Sequence, residues 1–218
     1  MPSITVENYV KQIYLEQQQT GSGRVPMGRL AAAMGVVPGT VTAMVKALGD
    51  SDLVDYEPRG GVRLSRAGEQ LALHVLRRHR LVELFLVKVL GLDWSQVHAE
   101  AEELEHVISD RVLERIDALL GHPTVDPHGD PIPSAKGKVD TSRPSSLADC
   151  PIRVPLRIAR ILDQDVGFLV FVEKCGLMPG VTITVQSRDT AADAVVVKPD
   201  GRKPITIGSA AAEKILAE

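Results

Sequence analysis

The 218-residue sequence has few aromatic residues: one Trp, three Tyr and three Phe make up 3%. Its core must therefore be aliphatic, and an aromatic-lined pocket for an organic ligand is not expected. Only two cysteines are present, Cys150 and Cys175, far apart and in no Cys-x-x-Cys spacing. That excludes a disulfide framework and a zinc ribbon and predicts two reduced thiols. No apolar run approaches the roughly 20 residues of a membrane span. The stretch Met1 to Glu7 shows neither the basic nor the apolar region of a secretory signal. A cytoplasmic address without a membrane partner follows as the expectation. P-loop, dinucleotide, HExxH and GxSxG motifs are missing, and no nucleophile adjoins a base, so neither an enzyme nor a small-molecule substrate is expected.

A basic surplus is missing as well. The formal net charge is −3, which by itself speaks against a generic nucleic-acid binder. The total conceals an uneven distribution. Residues 1–73 carry seven basic and seven acidic side chains, residues 74–142 eight and twelve, and residues 143–218 ten and nine. All six histidines (His74, His79, His98, His106, His122 and His128) fall in the acidic middle. What remains is ordinary: 44% hydrophobic and 24% charged residues, enough for one large domain or two to three small ones.

Apolar periodicity predicts helices over 4–20, from Val25-Pro26 to a stop at Gly35, and from Pro38 onward. The last has Val41, Met44, Val45 and Leu48 on one face, and Gly39, Thr40, Thr42, Ala43 and Lys46 on the other. Short strands at Leu53–Tyr56 and Val62–Leu64 flank a turn containing Arg59. Helix, tight turn, helix, hairpin is the winged helix-turn-helix order. A long helix capped by Ser65 runs to Gly91, and another capped by Ser95 runs to about Leu120. Their apolar faces exceed what a winged helix needs, and dimerisation is the simplest use. Residues 121–150 read as a connector rich in Pro, Gly, Ser and Asp. Beyond it the period falls to 2, at Leu156 and Ile158, Val181–Val185, Val195–Lys198 and Ile205–Ile207, so a small β-barrel is expected, with a short helix from Ser209.

Three local spacings carry chemistry. His79 and Glu83 stand four apart on one helix face; His98, Glu102, Glu105 and His106 form a second stripe; Asp126 and His128 sit two apart in a loop. Imidazole with carboxylate is a ligand set for divalent transition metals, and a stripe without thiolate leans toward manganese or ferrous iron. A solvated acidic face with an incidental histidine stays open on spacing alone. His74 and His122 are read as structural.

At these residues the sequence resembles the metal-dependent repressors typified by the diphtheria toxin repressor, the iron-dependent regulators and the manganese transport regulators. The match lies in Arg78 to Leu81 followed by Glu83, in Val97-His98, in Glu105 to Val107 with Ser109-Asp110, in His128 to Pro133, and in the winged-helix stretch Arg29 to Leu53. The resemblance implies a primary metal site of Asn8, Glu102, Glu105 and His106. It implies an ancillary site of His79, Glu83 and His98, completed either by Asp165 from the barrel or by the Asp126 and His128 pair. It further implies a homodimer on a pseudo-palindromic DNA operator, with Pro38, Gly39, Thr40, Thr42, Ala43, Lys46 and Arg59 facing DNA. Glu102, where iron-type members have cysteine, points to Mn²⁺; Asn8, where manganese-type members have an acid, keeps Fe²⁺ as the alternative. One or two metals per subunit are expected, and a purely structural metal is the rival. The expected organisation is a mainly α winged helix (1–73), a helical metal-binding and dimerisation domain (74–142), a linker (143–150) and a small all-β Src-homology-like barrel (151–218).

Overall fold

A computed structural model describes residues 2–21, 23–140, 142 and 144–218. Ser22, in the stop expected after the first helix, and Arg143, at the start of the expected linker, lie outside them. The described residues form two compact units, one within 2–78 with 133–138, the other within 79–132 with 139–218.

The first unit is a winged helix. Helix α1 (Ile4–Gln19) is opened by Ser3, whose side chain accepts from the Val6 N–H. Helix α2 (Met27–Met34) ends at Gly35 in the left-handed conformation, and α3 (Pro38–Asp50) begins on a first-turn proline. Strands β1 (Val54–Glu57) and β2 (Gly61–Leu64) pair antiparallel, and Val25 bridges to Val62 on the far side of the hairpin. Tyr9, Val10, Ile13, Leu30, Val41, Val45, Leu48 and Val62 form the buried core, so the expected inward face of α3 is the one that packs. Helix α4 (Arg66–Lys88) follows Ser65, whose hydroxyl accepts from the Gly68 N–H at 3.1 Å.

The second unit combines the end of α4 with four further helices and a sheet. The single helix expected over 95–120 is two: α5 (Val97–Glu105) and α6 (Asp110–Leu119). Ser109 breaks the run by capping α6, accepting from the Val112 N–H. Ser95 is not the cap of α5; its hydroxyl donates to Asp93 Oδ1 at 2.6 Å, and Gln96 takes the cap position. The break turns the chain at His106, so the two halves of the apolar stripe serve different contacts: Val97 and Ala101 pack with Val82 and Leu86, and Leu113 and Ile116 with Leu81 and Leu84.

Strands β3 (Ser145–Ser146), β4 (Pro155–Ile161), β5 (Thr182–Asp189), β6 (Ala194–Pro199), β7 (Ile205–Gly208) and β8 (Ile215–Ala217) form one antiparallel sheet in the order β3-β8-β4-β5-β6-β7. Helix α8 (Ser209–Glu213) precedes β8. Helix α7 (Val166–Cys175) is a helix that periodicity does not predict, because its sequence is apolar over Val166–Val172 and leaves no periodic signal. Asp165 caps it and Gly176 closes it, and Leu169 and Val172 enter the aliphatic core of the sheet beside Ile158, Ile161, Ile183 and Val185. Among the described residues no single helix is long and apolar enough to cross a membrane.

Candidate metal centre

Helix α4 presents His79 and Glu83 one turn apart, and α5 presents His98, Glu102 and Glu105. The side chains meet. His79 Nδ1 lies 2.5 Å from Glu105 Oε2, and His79 Nε2 lies 2.9 Å from Glu83 Oε1 and 3.1 Å from His98 Nδ1. Glu102 Oε1 stands 3.7 Å from His79 Nδ1 and 3.5 Å from His98 Nε2. His106, at the turn after α5, holds Nε2 3.3 Å from Glu105 Oε1. His79, Glu83 and Glu105 are buried, Glu102 is partly accessible, and His98 is the exposed edge.

The loop after α6 supplies the remaining donors. It is no flexible linker at this point: Val125 pairs with Pro131, and Asp126 Oδ1 accepts from the N–H groups of His128 (2.8 Å) and Asp130 (2.9 Å). His128 is fully buried, with Nε2 2.9 Å from the Trp94 carbonyl oxygen and Nδ1 3.9 Å from Glu83 Oε2.

Ligand atoms of three groups fall within 4.8 Å of one another: His79, Glu83 and His98; His79, Glu102 and Glu105; and Glu83, Asp126 and His128. His79 and Glu83 each belong to two groups, which spacing along the chain does not reveal. Burial alone would raise the Glu83 carboxyl. The charge of His79, hydrogen bonds from His79 and His98 and the charge of His128 outweigh that and hold it below the usual carboxylate range. Burial pushes the Asp126 carboxyl well up, reinforced by the charges of Asp130 and Glu83, because Arg80 offsets them only in part. In the third group Glu83 Oε2, Asp126 Oδ2 and His128 Nδ1 are all buried without a hydrogen-bond partner among the described residues. Three converging buried polar atoms left unpaired destabilise a fold unless a partner meets them. An all-nitrogen-and-oxygen donor set of this kind fits a divalent cation.

The other expected site residues fall as follows. Asn8 lies on α1 in the first unit, with its Oδ1 buried and unbonded among the described residues. Asp165 is exposed, its Oδ1 accepts the Phe168 N–H as the cap of α7, and it joins none of the three groups. His122 is exposed and faces Asp117 Oδ2 at 2.9 Å, and His74 is exposed. On α3, Pro38, Gly39, Thr40, Ala43 and Lys46 are exposed; Thr42 is half-buried and donates its hydroxyl to the Pro38 carbonyl at 2.9 Å. Arg59 sits exposed at the tip of the wing with φ +67°, whereas Arg63 is tied to Asp55 at 2.8 Å. Val37, at the cap position before α3, is apolar and 67% exposed. Free Cys150 and Cys175 take no part in these groups.

A winged helix followed by helices that converge imidazoles and carboxylates defines a DNA-binding protein with a divalent-metal centre. Comparison with known proteins agrees on the DNA-binding and metal-binding classes. Three family models match in succession: "Iron dependent repressor, N-terminal DNA binding domain" over residues 1–62, "Iron dependent repressor, metal binding and dimerisation domain" over 65–134, and "FeoA domain" over 145–218. The iron-dependent repressor IdeR of Mycobacterium leprae is 29% identical over 231 residues, covering 98% of this chain and 96% of the relative. A solved manganese-dependent transcriptional repressor in complex with manganese is 37% identical with a TM-score of 0.86, covering 97% of this chain and 98% of its own. The manganese regulator SloR is 32% identical with a TM-score of 0.76, covering 98% and 97%. The chain belongs to the family of metal-dependent transcriptional repressors typified by the diphtheria toxin repressor. It is a metal-dependent repressor and not an enzyme.

Proposed function

We propose that the chain is a cytoplasmic, homodimeric, manganese-responsive repressor of metal-homeostasis genes. The observation that carries the choice of metal is the donor set: Glu102 stands where a thiolate would favour a softer ion, and none of the three ligand groups contains sulfur. The similarity to proteins described as manganese-dependent supports it. Similarity to the iron-dependent IdeR proteins supports a second reading, an Fe²⁺-responsive regulator with the same ligands.

In this reading Glu102, Glu105 and His106, with the neutral amide oxygen of Asn8, hold one ion. Glu83 with His79 and His98, or with Asp126 and His128, holds a second, so one or two ions bind per subunit. The bound ion supplies positive charge that the buried carboxylates otherwise draw from His79 and Arg80. Asn8 is on the helix that packs against the DNA-binding core, so its recruitment fixes the winged helix and lowers the ordering needed to dock on DNA. A coupling of this type is worth about 1–3 kcal/mol, roughly 5- to 150-fold in operator affinity.

Pro38, Gly39, Thr40, Thr42, Ala43 and Lys46 then enter the major groove and Arg59 meets the backbone. Exposed Leu104, Val107, Val112 and Leu119 offer a second copy an apolar face, and a dimer calls for half-sites about one helical turn apart or a multiple. The test is binding of a selected operator duplex titrated with Mn²⁺ and, anaerobically, with Fe²⁺. The reading expects Mn²⁺ to raise affinity at lower free concentration than Fe²⁺. The reverse order favours the iron reading, and no response to either ion leaves the metal structural.

A further inference from the structure

The sheet domain reaches into the loop that carries Asp126 and His128. The Ile161 N–H at the end of β4 donates to the His128 carbonyl at 2.9 Å, and Gly129, at φ +86°, lies so close to β4 that a Cβ there would stand 1.9 Å from the Ala159 carbonyl oxygen. Only glycine fits that crossing. One residue further on, Asp130 is buried and gripped from the sheet domain by two side chains: Arg160 on β4 forms an ion pair with Asp130 Oδ1, and Gln164 Nε2 donates to Asp130 Oδ2 at 2.8 Å. Arg80 of α4 stands on the other side, 3.8 Å from both Asp130 Oδ1 and Asp126 Oδ2, with its Nη1 donating to the Pro131 carbonyl at 2.6 Å.

Asp130 in turn holds Asp126. Its N–H donates to Asp126 Oδ1, as does that of His128, and its carbonyl accepts from the Asp126 N–H at 3.0 Å. Both donors thus fall on one oxygen. The other, Oδ2, is left unbonded with Glu83 Oε2 and His128 Nδ1. A carboxylate fixed through one oxygen and bare on the other has lost its rotational freedom in the direction a cation requires.

We propose that Arg160 and Gln164 are positioning residues for a metal centre of Glu83, Asp126 and His128, acting through Asp130 without touching the ion. The sheet domain then senses occupancy of that centre without supplying a ligand. By reciprocity, whatever Arg160 and Gln164 add to metal affinity the metal returns as tighter docking of β4 on the loop. The inference rests on the reading above that this group binds a metal.

The experiment is a Mn²⁺ titration of the full chain by calorimetry, with metal-free melting and amide exchange of Ile161 as second readouts. Arg160→Ala/Gln164→Ala should weaken one class of Mn²⁺ site by about ten- to a hundredfold, leave the class that includes Glu102 and Glu105 unchanged, and abolish the Mn²⁺-induced slowing of Ile161 exchange. Arg160→Lys should restore part of the affinity, as a merely structural deletion would not. His128→Ala separates the two claims. If it removes one bound Mn²⁺ while the double variant keeps wild-type affinity, the positioning role is overturned and the centre stands. If His128→Ala leaves stoichiometry and affinity unchanged, the centre itself is overturned. Should the double variant fail to fold, Arg160→Met, which keeps the aliphatic stem, carries the same expectation.

Discussion

His79 Nδ1 lies 2.5 Å from Glu105 Oε2, and the same ring places Nε2 2.9 Å from Glu83 Oε1. One imidazole on α4 thereby joins two sets of ligand-type side chains, one continuing to Glu102 on α5 and the other, through Glu83, to Asp126 and His128 in the loop after α6. A buried side chain shared in this way orients carboxylates of both groups through one ring, while each group keeps donors of its own.

His79→Ala should therefore weaken Mn²⁺ binding at both groups, whereas Glu102→Ala weakens only the first and His128→Ala only the second. Calorimetric titration of the three variants checks this. Two independent sites, with His79→Ala affecting one alone, would contradict the shared role.

The wing carries a pH dependence of definite sign. A hydrogen bond from Arg63, opposed by slight desolvation and aided by Arg24, holds the Asp55 carboxyl below its ordinary 3.8. A folded value below the unfolded one gives stability that is complete above about pH 4 and lost as pH falls through the folded value. Carbon-13 NMR of Asp55 should show titration below 3.8, returning toward it in Arg63→Gln. An unchanged value in that variant would show that the pair does not hold the wing.

Because Arg63 is paired with Asp55 and Arg59 has no ion pair among the described residues, the two arginines of the wing should behave differently toward DNA. Arg59→Ala should weaken operator binding about equally across sequences and reduce the salt slope by about 1, and Lys46→Ala on α3 should change the preference among sequences. Competition binding at several salt concentrations measures both. A sequence-dependent loss in Arg59→Ala would place that side chain on bases.

Helix α7 offers a test of the core. Leu169 is buried in the sheet domain, and Leu169→Ala should lower stability by about 3 kcal/mol through the lost contacts and the cavity left behind. Urea denaturation followed by circular dichroism reports it. A loss under 1 kcal/mol would mean that α7 is not part of that core.

Much of the architecture is legible in the residues because local rules and packing agree there. Gly35, Pro38 and the Val41, Val45 and Leu48 stripe specify the helix-turn-helix, and the alternation in 181–207 specifies strands. Two elements are hidden for different reasons. Ser109 ends one turn and caps the next, a local hydrogen bond that an apolar repeat running past it conceals. Helix α7 is apolar from Val166 to Val172 whether a residue faces the core or not, so its sequence has no period to find. The individual ligand residues can be read from i, i+4 spacing, but their grouping cannot. That Glu83 faces His128 depends on a loop folded back through Asp130 and held by residues distant in the chain, Arg160 and Gln164 of the sheet domain and Arg80 of α4. Composition reads that stretch as a linker because Pro, Gly and Asp serve tight turns as well as flexible chain.

The central claim is that occupancy of the His79, Glu102 and Glu105 region controls DNA binding. The direct measurement is operator affinity of the wild-type chain and Glu105→Ala, each with and without saturating Mn²⁺, with dimer mass and helicity followed alongside. The account predicts that Mn²⁺ tightens wild-type binding by about 5- to 150-fold, and that Glu105→Ala loses this response while remaining dimeric and helical. Equal wild-type affinity with and without Mn²⁺, or a Glu105→Ala variant that still responds, would contradict it.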